Sequence, residues 1–419
     1  MADPASVAPA SPLGFGSAVL AFDVGGTDTK SALFDTTGAM IGLARTPTPA
    51  AGLGSADAVL AHVETVAAGF RREHPEVIPA AVAMIAPGIV DDERGIAVLA
   101  ANLSWDQVPF RDLLTERLGL PASFTHDARA AGEAEFRLGA ARPYRDVVVM
   151  VIGTGVSAAL FVDGRPHSSS GYAGEIGHAV IDPRGEPCVC GARGCLETVA
   201  SAGAIVRRYQ AATGVHRAGA REVLGLAGQG DPVASRIWDE AVDALALSIS
   251  QLAAVLAPEA VVIGGGLAQA GDALFLPLRN RVDGLLTFHR RPALLPALLG
   301  ENAGLLGAAL RARGATGFSL SRETSFARDG PFPDLVEGTA DELRPAADGC
   351  VRRLAVAEGE SALRIGHEQV VLDAADNQAV TVRVPDQALL RQLGGNPADD
   401  VEAGGDSDQN QREEQQIHD

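Results

Sequence analysis

One histidine and three cysteines, His178, Cys188, Cys190 and Cys195, fall within 18 residues of one another. An imidazole and three thiolates suit tetrahedral zinc with no open coordination position, so the metal expected here is structural rather than hydrolytic. Gly191 and Gly194 let the chain turn tightly between the thiolates. A disulfide or a chance cluster would account for the same cysteines. Glu175 and Glu197 stand at the two ends of this segment, so a zinc site and a polar binding site are expected to share it.

A second group of residues has the character of a phosphate cradle. Asp23-Val-Gly-Gly-Thr27 sets a carboxylate at the end of an apolar run, then two residues without side chains, then a hydroxyl. Amides bared by Gly25 and Gly26 can meet phosphate oxygens, Thr27 can donate a further hydrogen bond, and Asp23 can position hydrated magnesium. Turns of this kind also simply close hairpins. Two more occur, Gly153-Thr154-Gly155 and Gly264-Gly265-Gly266, each after an aliphatic run. Three glycine turns at strand ends point to a nucleotide, yet none fits the spacing of a P-loop or of a dinucleotide fold.

The elements that must hold these residues are legible from apolar patterning. A strand, glycine turn and returning strand are expected from Ala18 to Asp35, a helix from about Ser55 to Glu73, and a strand buried on both faces from Ala80 to Val90. The pattern then recurs. Phe124-Thr-His-Asp127 precedes a helical stretch from Ala128 to Gly139, and an aliphatic run over 146–152 leads through the second glycine turn into another returning strand. Two such hairpins about 130 residues apart suggest duplicated α/β domains facing one cleft. A long helix from Asp239 to Leu256, the strand before Gly264, and a helix from Asn302 to Arg313 complete the patterned region.

Composition bounds the function. The 419 residues are enough for two or three domains. Four cysteines, three of them in the metal cluster and Cys350 left over, give no disulfide framework, and the compartment expected is the cytoplasm. With 53 acidic against 34 basic side chains the net charge is -19, which argues against nucleic acid as a partner. Asp23 interrupts the first apolar run and no basic residue precedes it, so neither a signal segment nor a membrane span is expected. Residues 1–17, rich in Ala, Pro and Ser, read as a disordered leader. The stretch 397–419, with 8 acidic residues and 1 basic, reads as a disordered acidic tail.

Taken in order, Asp23 to Lys30, Ala86-Pro-Gly-Ile-Val90, Asn102-Leu-Ser-Trp105, His126-Asp127, Gly153-Thr-Gly155, Glu175 to His178 and the C-x-C-G-x-x-G-C-x-E run resemble the ROK family of bacterial glucokinases, other hexose and N-acetylhexosamine kinases, and sugar-responsive repressors. The resemblance covers about residues 18–315. It implies an α/β fold of two actin-like, ribonuclease H-like domains flanking a central cleft. The small domain would span 18–125, completed by the helix at about 302–313, and the large domain with its zinc site 126–301. Residues 316–396 would form an extension of uncertain fold.

The resemblance also implies roles. Asp127 matches the family's catalytic base, which takes a proton from the sugar hydroxyl as it attacks the γ-phosphate of ATP; an Asp opening a helix is equally an ordinary N-cap. Gly88, Asn102, His126, Glu175, His178 and Glu197 match the sugar-binding positions. Lys30 joins the glycine turns on the nucleotide side. His178 would serve zinc through one ring nitrogen and the sugar through the other, or zinc alone. Three departures stand out: His126 occupies a position where the family often has Asn, Asp28 stands where a lysine often follows Gly-Gly-Thr, and Val156-Ser157 replace further glycines.

The expected activity is therefore ATP-dependent phosphorylation of the 6-hydroxyl of a hexose, glucose first, with Mg2+ and a structural Zn2+, by a homodimer or homotetramer. The alternatives are an N-acetylmannosamine or N-acetylglucosamine kinase and, in another class, a non-catalytic sugar sensor without its own DNA-binding module.

Overall fold

The computed structural model describes residues 13–50, 52 and 54–317, together with three strands over 361–383. The acidic tail, Cys350 and most of the expected leader and extension lie outside the described residues. The chain divides into two units, with the boundary between Ser325 and Phe326.

The first unit is built on two five-stranded sheets of matching topology. In the first, β1 (Val19–Val24), β2 (Asp28–Phe34) and β3 (Met40–Pro47) form an antiparallel meander, and β1 also pairs in parallel with β4 (Ala81–Ala86), giving an order of β3, β2, β1, β4 and finally β8 (Ala122–His126). Between β4 and β8 the chain forms a small antiparallel sheet of β5 (Ile89–Asp91), β6 (Ile96–Ala100) and β7 (Trp105–Val108). The second large sheet repeats the plan: β9 (Val147–Ile152), β10 (Val156–Val162) and β11 (Arg165–His167) are antiparallel, and β9, β12 (Ala260–Gly264) and β13 (Ala293–Pro296) are parallel. This duplicated arrangement is the actin-like, ribonuclease H-like architecture. Its central parallel strands β4 and β12 are aliphatic and buried at every position.

Helices cover the sheets. α1 (Ser55–Glu73) and α2 (Phe110–Leu118) close one core with Val59, Leu60, Val63, Phe70, Phe110 and Leu114. On the second sheet lie α4 (Glu197–Ala200), α5 (Ala202–Thr213), α6 (Ala220–Gly228), α7 (Pro232–Leu256) and α8 (Asp272–Leu285), with Ile237, Trp238, Leu245 and Ile249 of α7 in the core. Two helices connect the halves. α3 (Asp127–Leu138) packs on β10 and against α9 (Ala303–Ala315), whose Leu305, Ala308, Ala309 and Ala312 return to the first sheet beside Ala21, Ala83 and Ile85.

Three boundaries differ from the sequence reading. The apolar run expected as one strand from Ala80 to Val90 is two strands in two sheets, because Pro87 has no N–H for a ladder and Gly88 adopts φ +115°. α7 starts at Pro232, seven residues before the expected start, because Asp231 accepts from the amides of Val233 and Ala234 (2.9 and 3.0 Å) and Pro232 sits in the first helical turn. Residues 13–17, counted with a disordered leader, are placed: Leu13 is buried, and the buried Arg313 guanidinium donates to the carbonyls of Leu13, Gly14, Ser17 and Asp35.

The second unit contains an antiparallel sheet of β14 (Ser361–Ile365), β15 (Glu368–Leu372) and β16 (Ala379–Arg383). These strands fall within the extension whose fold the sequence leaves uncertain. Among the described residues no helix is long and apolar enough to cross a membrane.

Candidate active site

The glycine turns and the His126-Asp127 pair sit at the carboxyl ends of parallel strands, where open α/β sheets present their ligand crevices. Asp23 lies at the end of β1 and leads to the turn at Gly25, Gly26 and Thr27, which is closed by Gly25 N–H donating to Asp28 O at 2.9 Å. His126 ends β8, and Asp127 opens α3. Gly153, Thr154 and Gly155 join β9 to β10. Gly264 ends β12 opposite Val151, and Gly265 packs directly against the Ile152 carbonyl, so the second and third glycine turns lie side by side.

Asp127 is half-buried, its side chain 39% exposed, at the start of α3. Its Oδ1 accepts the Ala128 amide at 2.5 Å, which leaves Oδ2 for another proton. The buried His126 ring caps the same helix: Nδ1 also accepts from Ala128 N–H, at 3.1 Å. The ring proton therefore belongs on Nε2, which lies 3.9 Å from Glu175 Oε1. Asp127 is therefore the first residue of α3 and not its N-cap, a place His126 takes because its ring accepts the Ala128 amide, and the His126 ring stands between Asp127 and Glu175.

Asp23 has the most perturbed carboxyl of the group. Burial first, and then the nearby Asp127 charge, push its pKa up to about 7, against the opposing pull of Lys30 and Arg45. The sheet register explains the neighbours: Asp23 is opposite Lys30, and Lys30 is opposite Arg45, so the three form one cross-strand row on β1, β2 and β3. Lys30 is drawn toward Glu301, donating to its carbonyl at 3.2 Å and lying 3.6 Å from its carboxylate. Arg45 was not singled out in the sequence, because only strand pairing brings it beside Asp23.

Other site residues frame the glycine turns. Asn102 abuts the first, its side-chain nitrogen 3.3 Å from where a Cβ on Gly26 would stand. Glu197 opens α4 and reaches the second, Oε2 accepting the Val156 amide at 3.0 Å. A Cβ on Gly155 would lie 2.5 Å from that oxygen, so a larger residue there would displace the Glu197 carboxylate. Gly88 lies between β4 and β5, with a Cβ position 2.5 Å from Leu99 O.

The metal cluster is brought together as its spacing suggested. The ligand atoms of His178, Cys188, Cys190 and Cys195 all lie within 4.8 Å of one another. His178 Nδ1 is 3.5 Å from Cys188 Sγ, and Cys190 Sγ is 3.7 Å from Cys195 Sγ. A tetrahedral ion with Zn–S of about 2.3 Å and Zn–N of about 2.0–2.1 Å requires edges of about 3.6 Å between N and S and about 3.8 Å between two sulfurs. The residues fit that ion. The Ala192 amide and neighbouring thiols hold Cys190 below its usual value, whereas burial and its neighbours push Cys195 up to about 12. A divalent cation bound there would favour the thiolate form of its cysteine ligands. Nδ1 is the nitrogen facing the sulfurs, so Nε2 remains available to a second ligand.

The ROK family model matches residues 19–315. A glucokinase of Thermotoga maritima is 37% identical over 240 residues, covering 53% of this chain and 76% of its own. An N-acetylmannosamine kinase of Shigella flexneri is 33% identical over 300 residues, 71% of this chain and 98% of its own. Among solved structures, a ROK family glucokinase from Streptomyces griseus, in complex with glucose and AMPPNP, aligns at a TM-score of 0.59 and 30% identity over 71% of this chain and 99% of its own. With the family model spanning 19–315 and kinase relatives aligned along almost their whole length, the chain belongs to the ROK family.

Proposed function

We propose that this chain transfers the γ-phosphoryl group of ATP to the 6-hydroxyl of a hexose, glucose foremost, with Asp127 as the general base. Relatives matched along most of their length, glucokinases and an N-acetylmannosamine kinase, make the chain a sugar kinase; the sugar, the base and the individual ligands are our reading. The observation that carries it is Asp127 itself: half-exposed, with one oxygen held by an amide and the other open, near Asp23 and with the His126 ring between it and Glu175.

Phosphoryl transfer asks the protein mainly for alignment and charge neutralisation. The sugar hydroxyl gives its proton to Asp127 Oδ2 as its oxygen attacks the γ-phosphorus, and the bond to the β-γ bridging oxygen breaks toward ADP. Gly88, Asn102, His126, Glu175, His178 and Glu197 supply donors and acceptors for the remaining hydroxyls, with His126 Nε2–H and the Glu175 carboxylate offering one of each side by side. Gly25, Gly26, Thr27, Gly153, Thr154, Gly155 and Gly264 to Gly266 present backbone to the nucleotide, beside Lys30 and Arg45. Magnesium, bound with the nucleotide, supplies neutralisation of phosphate charge, and Asp23 fits it, since two carboxylates that repel one another are relieved by a cation. Zinc on His178, Cys188, Cys190 and Cys195 has four protein ligands and supplies shape only, holding the segment from Glu175 to Glu197.

An N-acetylmannosamine kinase is the second reading, supported by the relative of that name at 33% identity. A coupled ADP-release assay across glucose, mannose, fructose, N-acetylglucosamine and N-acetylmannosamine tests both. Highest kcat/KM with glucose is the expected result; turnover confined to the N-acetylhexosamines would replace the first reading with the second.

A further inference from the structure

Two residues beyond Asp127 on α3, Arg129 is buried, with its guanidinium spread over separate segments of the chain. Nε and Nη2 meet Asp92 Oδ2 and Oδ1 at 3.0 Å each, fork against fork. Nη2 also donates to Val90 O at 2.6 Å, and Nη1 to Gly171 O at 3.3 Å. The Asp92 side chain is only 9% exposed and takes a further hydrogen bond from Thr125 Oγ1 at 2.6 Å, two residues before the candidate base on β8.

The partners have one thing in common. Val90 follows Gly88 by two residues, Gly171 precedes Glu175 by four, and Thr125 and Arg129 bracket Asp127 on either side. The two backbone segments are also in direct contact, since a Cβ on Gly171, at φ +95°, would stand 2.1 Å from Val90 O. None of these hydrogen bonds reaches Gly25, Gly26, Gly153 to Gly155 or Gly264 to Gly266. One planar, permanently charged group thus ties the helix of the base to the strand behind Gly88 and to the loop that feeds Glu175. A lysine has the charge without the fork.

We infer that Arg129 is a positioning residue of the sugar site: through Asp92, Val90 and Gly171 it sets the spacing of Asp127, Gly88 and Glu175 around the hexose, without touching it. The inference rests on the hexose reading of this cleft. A misplacement of about 1 Å in such a site costs up to about 100-fold, and here the loss falls on the sugar rather than on the nucleotide.

The test uses the full chain with Arg129→Met and Arg129→Lys. Both are expected to raise the sugar KM at least about tenfold, leaving the ATP KM within about twofold, with Lys no better than Met. Arg129→Ala opens a guanidinium-sized gap beside a crevice of about 230 Å³ lined by Asp92, Glu93, Glu133 and His167. Millimolar guanidinium is therefore expected to restore part of the sugar affinity of Arg129→Ala, and methylammonium to restore none. Amide hydrogen exchange gives an arm independent of turnover: Arg129→Met should speed exchange over 88–92 and 168–175 and leave 153–155 and 264–266 unchanged. A chain that phosphorylated no hexose would dispose of the hexose reading and leave this arm to decide the placement. Sugar and ATP KM rising together, or unchanged exchange in both segments, would overturn the role assigned to Arg129.

Discussion

Replacing Asp23 by asparagine is expected to stabilise the ligand-free protein above neutral pH while disabling it as a kinase. The folded-state pKa of Asp23 is about 7 against an ordinary 3.8, raised by burial and by Asp127. Because the folded value is the higher one, the folded chain keeps this proton between about pH 4 and 7, where the unfolded chain has lost it. Stability linked to Asp23 therefore falls as pH rises through that window, and the full cost is present above it. At about 1.36 kcal/mol per pKa unit, the cost reaches at most about 4 kcal/mol at pH 8 and about 1 kcal/mol at pH 4.5. The amide that replaces the carboxyl carries no such charge, so the stability difference between Asp23→Asn and the parent should widen by up to about 3 kcal/mol from pH 4.5 to 8. Scanning calorimetry of both proteins at the two pH values reads this as a relative shift in Tm on the order of 6–12 °C for a lobe of this size. A second variant checks the cause: with Asp127→Asn the repulsion is gone, and the pH dependence attributable to Asp23 should shrink. A Tm difference that is flat across this range would refute the reasoning, whatever happened to activity.

Three further outcomes follow from the geometry. Purified protein should carry about one zinc per chain by atomic emission; Cys195→Ser should lose it together with thermal stability and sugar affinity, whereas Asp127→Asn should keep it. Arg313→Met withdraws the donor that four carbonyls share, so a drop in Tm of several degrees is expected by calorimetry, with little change in sugar KM. His126→Asn retains a side chain that can cap α3 but withdraws the imidazole from Glu175, so a shift in the ranking of sugars in the coupled assay is expected, while Tm stays close to that of the parent.

The parts of the fold that sequence patterning revealed are those governed by local chemistry. α1 runs from Ser55 to Glu73 as expected, because Val59, Leu60, Val63, Ala67 and Phe70 repeat at helical spacing. The start of α7 was missed although its signal was present: Asp231-Pro232 is a cap followed by a helix-opening proline, overlooked in favour of the apolar periodicity that begins later. The division of the 80–90 run turned on one proline and one positive φ. Within the site, the His–Cys cluster and the glycine turns were legible because their spacing is local. Arg45 and Arg129 were not, since nothing in a lone arginine tells which strand register or which buried carboxylate will meet it. Asp92 likewise carries no local signal, and only the fold puts it against Arg129.

The role of Asp127 as base is tested most directly by rapid-quench measurement of a single turnover with ATP and the best sugar, comparing Asp127→Asn with the parent. A positioned general base contributes about 10²–10⁴-fold, so the rate of phosphoryl transfer should fall by at least about 100-fold, with sugar affinity within about threefold and zinc content unchanged. Transfer within about fivefold of the parent rate would contradict the assignment and move the base elsewhere in the cleft.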